Sequence, residues 1–476
     1  MNITFRNLIP FLLLAMLLML ATACQSSTPK PDVQTVPFSM PDKNVTHFTL
    51  DNGLEVLLVE KHVVPIVTIL TAVKNGAMAE SPEYNGLSHL YEHMFFKGNG
   101  SYPTQEAYME KLRELGISFN ATTSTESVQY FFTLPKENLE SGLSFMRDAL
   151  VTPLFDEGEL QNEISTVLSE YDRNESSPFY YLHNTMTHNL YYAYPTRKDV
   201  LGDRETIQTA TREKMLTIKN RYYVPNNSML IISGDIEPAK IRPLIEKYYL
   251  AWPKMENPYD LHPVPEHPAL QQSKTVIIEK PYKNAVIQFQ WQGPGISKDV
   301  NSTYAADVFS YIISQKASKF HKKLVDTGIL HAANLSYLTQ RYSGPISFTG
   351  VSSPEKTFQA IEAMKNEMTQ FTTSEYFTDK ELQNAKLQLA VESLYEWQKS
   401  DAVAKTLGFW WCVADTDYKF NYVDNINKVS REDIKKYLDQ YVINQPHVMG
   451  ILISPENSAK LELKRTLASA GQEVAK

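Results

Sequence analysis

Apolar and polar positions alternate along this chain in two stretches that read alike. In the first, the runs His47–Leu50 and Leu54–Glu60 flank Asp51-Asn52-Gly53, and a tight turn between strand-like runs predicts a β-hairpin. Ile66–Val73, Val128–Leu134 and Met229–Ser233 are further strand-like runs, with amphipathic helical patterns between them. The pattern breaks where Pro253, Pro258, Pro263, Pro265 and Pro268 crowd together without periodicity. Beyond that break the chain starts over. Thr275–Glu279 and Ala285–Trp291 read as strands and Tyr304–Val325 as one long helix, and more strands and two long helices follow.

The restart is a repeat. Phe155-Asp-Glu-Gly-Glu-Leu-Gln-Asn162 opens one helical pattern, and Phe377-Thr-Asp-Lys-Glu-Leu-Gln-Asn384 opens another 222 residues later. The expected fold is α+β, with two similar tandem domains, each a mainly antiparallel sheet packed against helices. The expected boundaries are a signal peptide over 1–23, a lipidated Cys and flexible tether over 24–43 and a catalytic domain over 44–252. A Pro-rich linker over 253–272, a homologous non-catalytic domain over 273–464 and a tail over 465–476 complete the chain.

The N-terminus departs from this pattern. Arg6 precedes a nearly unbroken apolar run from Leu8 to Leu20, shorter than the roughly 20 residues that span a bilayer. Its length and flanks are those of a signal-peptide core. Ala21-Thr22-Ala23 before Cys24 resembles the lipobox of bacterial lipoproteins, with Leu20 one place further from the Cys than is usual. The expectation is lipid on Cys24 and a place in the bacterial cell envelope; the alternative is plain secretion with cleavage after Ala23. Gln25 rather than Asp follows the Cys, which in a Gram-negative host favours the outer membrane, facing the periplasm. Gln25–Lys43, rich in Ser, Pro and Gln, reads as a tether. Cys412, the only other cysteine, sits in the apolar run Trp410–Val413 and is expected to be a buried packing residue.

Composition narrows the function. A net charge of −8 and no basic block argue against nucleic acid as a partner. Apolar and charged fractions of 43% and 21% are ordinary for a soluble globular protein.

The chemistry concentrates in Asn85-Gly-Leu-Ser-His89-Leu-Tyr-Glu92-His93-Met-Phe-Phe-Lys-Gly98. Leu87, Leu90, Tyr91, Met94 and Phe95 recur at helical spacing, and Gly98 suits a cap after the helix. On a helix His89 and His93 are i and i+4, about 40° apart, so both imidazoles reach one metal ion. Glu92 lies on the same side, within reach of a water on that metal. The pattern is His-x-x-Glu-His, the inverted zincin motif. The bland alternative is a surface helix with two solvated histidines. Catalytic zinc usually takes three protein ligands. The helical pattern Asp156–Asn174 offers Glu163 and Glu170 beside its apolar stripe, although solvated glutamates at a helix border are common.

These residues resemble the pitrilysin/insulinase-type metallopeptidases, which include the mitochondrial processing peptidase. In that family His-x-x-Glu-His is followed by a helix bearing Glu-x6-Glu, here Glu163 and Glu170. Further segments match: Gly116–Thr123, Tyr194–Gly202 and Tyr223–Asn227. The resemblance implies one Zn²⁺ per chain on His89, His93 and Glu170, with Glu163 orienting a ligand histidine and Glu92 as general base. It implies a zinc metalloendopeptidase that cuts peptides or unfolded polypeptides, whose backbone pairs with an edge strand at Asn120 and Ala121. It also implies a dimer, with a second copy or a related two-domain subunit. A non-catalytic assembly subunit is the main alternative, but such partners typically lose the metal motif. A phosphohydrolase would call for several Asp ligands and two metals.

The second domain lacks the motif. Adding the repeat offset to His89 reaches Tyr311; Glu392 falls at the Glu170 position and Ala385 at that of Glu163. Glu392 is expected to be solvated and His321 structural, while Arg341 and Tyr342 are candidate substrate contacts.

Overall fold

The computed structural model describes residues 44–469. The predicted leader, Cys24 and the tether lie outside the described residues. Strands β1 (Val45–Thr49) and β2 (Glu55–Glu60) pair antiparallel across the expected turn. Gly53 closes it at φ 88°, and the Asn52 amide donates to the carbonyls of Tyr249 (2.8 Å) and Trp252 (2.9 Å). The first half continues through β3 (Ile66–Val73), α1 (Leu87–Met94), β4 (Ser118–Thr123) and β5 (Val128–Pro135). It ends with α2 (Glu157–Glu175), α3 (Pro178–Leu190) and β6 (Ser228–Gly234). The second half comprises β7 (Lys274–Glu279), β8 (Ala285–Gln292), α4 (Ile296–Ser314), β9 (Ala332–Tyr337) and β10 (Pro345–Ser352). It closes with α5 (Asp379–Tyr395), α6 (Ser400–Val413) and β11 (Val448–Ile453). The expected tail begins inside a short helix, Leu463–Ser469.

Two sheets result, ordered β1-β2-β6-β3-β5-β4 and β7-β11-β8-β10-β9. The second order is the first without its β1 edge, so the repeat is one of topology as well as of sequence. Pairing is antiparallel except for β2 with β6 and β7 with β11. The fold is thus α+β with two tandem sheet-and-helix units, as expected.

The central strands of the first sheet are buried almost end to end because both of its faces are covered. β6 is buried at all seven positions and β3 at all but its first. The cover comes partly from the other half. α6 lies on β3 and β6, and α3 lies on β11 and β7, an exchange of two helices 222 residues apart. Glycines permit each close approach. A Cβ on Gly408 would sit 2.9 Å from Leu70 Cδ2, and one on Gly450 would sit 2.4 Å from Met186 Sδ. Leu182, Met186 and Leu190 of α3 join Val276, Ile278, Val448 and Leu452 in one core cluster. Cys412 is buried in α6, its thiol donating to the Val73 carbonyl at 3.5 Å, as its apolar setting predicted.

One helix differs from expectation. Tyr304–Val325 is not continuous: α4 ends at Ser314, Gln315 turns extended, and Ser318 caps a new helix over Lys319–Leu324. Periodicity alone passes over such a break, because both pieces keep their apolar faces inward.

Candidate metal centre

α1 is eight residues long and is capped from outside. Its N-cap, Gly86, has φ 90° and no side chain to offer. Glu80, buried at 4% exposure, takes that role. Its Oε2 accepts from the Gly86 N–H (2.8 Å) and its Oε1 from the Ser88 N–H (2.6 Å). Burial pushes this carboxyl up to about 7 against the pull of those donors. The first turn is thereby held one residue before His89.

His89 and His93 then face α2. Their rings lie 4.9 Å apart at 88°. Their Nε2 atoms stand 3.8 and 4.0 Å from Glu170 Oε2. Those separations are too long for hydrogen bonds, and near the roughly 3.4 Å between ligand atoms around a tetrahedral ion with bonds of about 2.1 Å. Burial first, and then the neighbouring His93, hold His89 down to about 4, so its imidazole is neutral, as a ligand must be. These three residues are the only group among the described residues with donors spaced to hold a metal, all within 4.8 Å of one another. Two imidazole nitrogens and a carboxylate form a donor set that fits zinc.

Glu163 sits behind His93. Its Oε2 lies 2.9 Å from His93 Nδ1, and the Lys97 ammonium reaches its Oε1 at 2.6 Å. Burial alone would raise Glu163, but the bonds from His93 and Lys97 outweigh it and hold the carboxyl below its usual range. With Nδ1 donating to this carboxylate, the Nε2 lone pair of His93 is turned toward Glu170. Glu92 is raised, chiefly by burial, and accepts a hydrogen bond from the Thr123 hydroxyl. That bond ties α1 to the end of β4. Asn120 and Ala121 lie on β4 itself, the outer strand of its sheet. Asn120 is exposed, with its Oδ1 accepting from the Ala121 N–H at 2.9 Å, while Ala121 is buried and opposite Tyr130.

Other candidates fall elsewhere. The Arg341 guanidinium donates to the carbonyls of Cys412 and Ala414, both at 3.0 Å, and the Arg341 backbone N–H donates to buried Glu126 at 2.7 Å. It braces the two halves. Lys198 does the same, donating to Gln340 and to the Ser343 carbonyl, and burial lowers it to about 8. His321 pairs with Asp326 at 3.2 Å, away from the centre. Glu392 is not simply solvated, because it accepts from the Tyr311 hydroxyl. Glu80 and Glu126 carried no signal in sequence, and Thr123 only its place in the family-like segment Gly116–Thr123. Lys97 did, standing four residues past His93.

Comparison with known proteins agrees with this arrangement. The model of the family "Insulinase (Peptidase family M16)" matches residues 55–200, and that of the "Peptidase M16 inactive domain" matches residues 209–389. An uncharacterized zinc protease of Rickettsia felis is 25% identical over 362 residues, 75% of this chain and 85% of its own. The structure of a protease from Helicobacter pylori superposes with a TM-score of 0.76 at 20% identity, covering 86% of this chain and 99% of that one. The periplasmic protease PqqL of Escherichia coli superposes at 0.71 and 17% identity, covering 89% of this chain but 49% of PqqL. Both halves of this molecule thus have their counterparts in one family, and the chain belongs to the insulinase family of peptidases, peptidase family M16.

Proposed function

We propose that the chain is a zinc-dependent endopeptidase acting on peptides or unfolded polypeptides at the cell envelope. One observation carries the reading. Three metal-spaced donors and Glu92 meet at one place, and Glu92 accepts a hydrogen bond from the end of an edge strand.

In this reading His89, His93 and Glu170 hold the metal, and Glu163 fixes the His93 tautomer with Lys97 behind it. Zinc bound there would polarise the scissile carbonyl and lower the pKa of the attacking water. An extended peptide adds its backbone to β4 beside Asn120 and Ala121, which presents its carbonyl to the metal centre. Glu92 takes a proton from water and passes it to the leaving amine. Its partial burial suits that exchange, since a carboxylate raised in pKa is a better base near neutrality.

The catalytic unit is assigned to 44–252 and the non-catalytic one to 273–464. The envelope location is supported by the leader-like run and Cys24, and by the periplasmic neighbour PqqL. No helix among the described residues is long and apolar enough to cross a membrane. The chain matches about half of PqqL, which supports pairing with a second subunit, identical or related, to close the site from water.

The test is turnover of an unfolded fluorogenic peptide by the purified full chain, with and without a chelator, combined with sedimentation. Cleavage lost on chelation, restored by zinc and found in a dimer is the expected result. Chelator-insensitive cleavage, or none, would sink the enzymatic reading; full activity in a monomer would sink the pairing.

A further inference from the structure

The repeat pairs two helices whose outer faces differ in kind. On α2 the exposed residues Ser165, Ser169, Asp172 and Arg173 are polar. The repeat offset places Leu387, Val391, Leu394 and Tyr395 at the same four positions of α5, and all four are exposed, Tyr395 at 62%. The turns after the first strand of each parallel pair differ as well. β7 ends at Glu279, and Tyr282 in the turn beyond it packs on Phe179, with ring centroids 5.2 Å apart. β2 ends at Glu60, and the turn beyond it presents Val63, 82% exposed, followed by exposed Val64 and Ile66. The fold thus accepts polar or covered residues at both places, and this chain leaves apolar ones bare.

The two places adjoin. Trp397, two residues past α5, shares a pocket of about 220 Å³ with Val63, and the Lys61 ammonium donates to its carbonyl. Asn44, the first described residue, lines the same pocket. Everything that precedes it, the apolar run Leu8–Leu20 and Cys24 included, therefore joins the described molecule at this surface. A leader-like run and a lipid-bearing cysteine are directed to a bilayer, so the bilayer is the partner that the chain's own connectivity brings here. The charges beside the turn offset one another: Lys136 binds Asp235 at 2.5 Å, and His62 lies between Asp235 (2.6 Å) and Glu60 (3.6 Å). With −8 on the whole chain, the attraction at this surface is apolar and not electrostatic. Tyr395 adds an apolar ring with a polar tip, the kind of side chain that sits at headgroup level.

We propose that Val63, Val64 and Ile66 at the β2–β3 turn, with Leu394 and Tyr395 at the end of α5, dock on the surface of a phospholipid bilayer. The proposal rests on the envelope location given above and is independent of peptidase activity. A lipid on Cys24 keeps the molecule close, where a weak apolar contact suffices, and this surface sets which side of the molecule faces the bilayer.

Co-flotation of residues 39–476 with vesicles of neutral phosphatidylcholine and phosphatidylethanolamine tests the contact without the leader or Cys24. These residues form one compact unit and hold both sheets whole. The expected result is saturable binding that persists at about 0.5 M salt. Val63→Ser, Val64→Ser and Tyr395→Ser combined should weaken it by about tenfold or more. Leu261→Ser, at an exposed apolar residue between the two halves, should leave it unchanged. No flotation, full binding by the triple variant or an equal loss in Leu261→Ser would overturn the proposal. A triple variant that sediments as a monomer where the wild-type protein is a lipid-free dimer would also overturn it, since a second copy would then cover the surface. Fractionation of host cells carrying the full chain separates contact from location. Vesicle binding by 39–476 with the full chain in the cytosol removes the envelope location and keeps the surface. A full chain at the envelope whose residues 39–476 ignore vesicles removes the surface alone.

Discussion

At the metal centre His89 and His93 face Glu170, with Glu163 and Lys97 behind them. At the corresponding place in the second half Tyr311 meets Glu392, and Gln315 turns its amide to the Glu381 carbonyl at 2.8 Å. Ala385, fully buried, stands where Glu163 would be. The two sheets share their strand order. The backbone thus decides which positions converge, and the side chains decide what that convergence does. Without a carboxylate at position 385, and with Tyr311 rather than an imidazole facing Glu392, nothing there orients or supplies a metal ligand, and Lys419 sits among the acids instead.

The contrast can be broken most severely from the first half. His93→Ala removes one of three donors, so the purified protein should hold no zinc by elemental analysis and show no measurable turnover. Glu92→Gln should lower kcat/KM by roughly 10²–10⁴ while zinc stays at one per chain, because Glu92 is assigned to proton transfer and not to coordination. Wild-type turnover in that variant would remove Glu92 from the mechanism. Glu163→Gln brings the first half one step toward the second. Weakening zinc affinity by about 10–100-fold in a chelator competition is the expected outcome, since a hydrogen-bond partner of a ligand is lost but no ligand is.

Smaller effects probe the shared scaffold. A side chain at Gly408 collides with Leu70 and with the Gln129 carboxamide, both 2.9 Å from its Cβ. Gly408→Val should therefore cost about 1–3 kcal/mol in denaturant unfolding, by pushing α6 off the first sheet. Asp307→Asn should have the smallest effect, and one that depends on pH. Folded Asp307 is raised from 3.8 to about 7, so the folded protein binds a proton that the unfolded chain releases between those values. Wild-type stability therefore falls as pH rises through that window, and asparagine escapes the loss. Melting temperatures at pH 8 relative to pH 4 should favour the variant by a few degrees; no pH-dependent difference would mean that Asp307 is not ionised at a cost.

Much of this was legible before any coordinates. The edge strand at Asn120 came only from the family resemblance, but the His-x-x-Glu-His spacing and the Glu163 and Glu170 pair are short-range patterns. Helix and strand periods of 3.6 and 2 translate them directly into shared faces. What the chain alone did not reveal lies in contacts between residues far apart in sequence. Glu80 caps α1 because a loop folds back onto it, and Thr123 reaches Glu92 because β4 ends beside α1. The Arg341 guanidinium meets two carbonyls at the end of α6, 71 and 73 residues further along the chain. The break at Gln315, the exchange of α3 and α6, and the pairing of Tyr311 with Glu392 have the same origin. Local sequence determined which elements form and which residues each presents. Only the packing of those elements decided which side chains meet, because a hydrogen bond or a close helix approach across the fold leaves no period in the sequence.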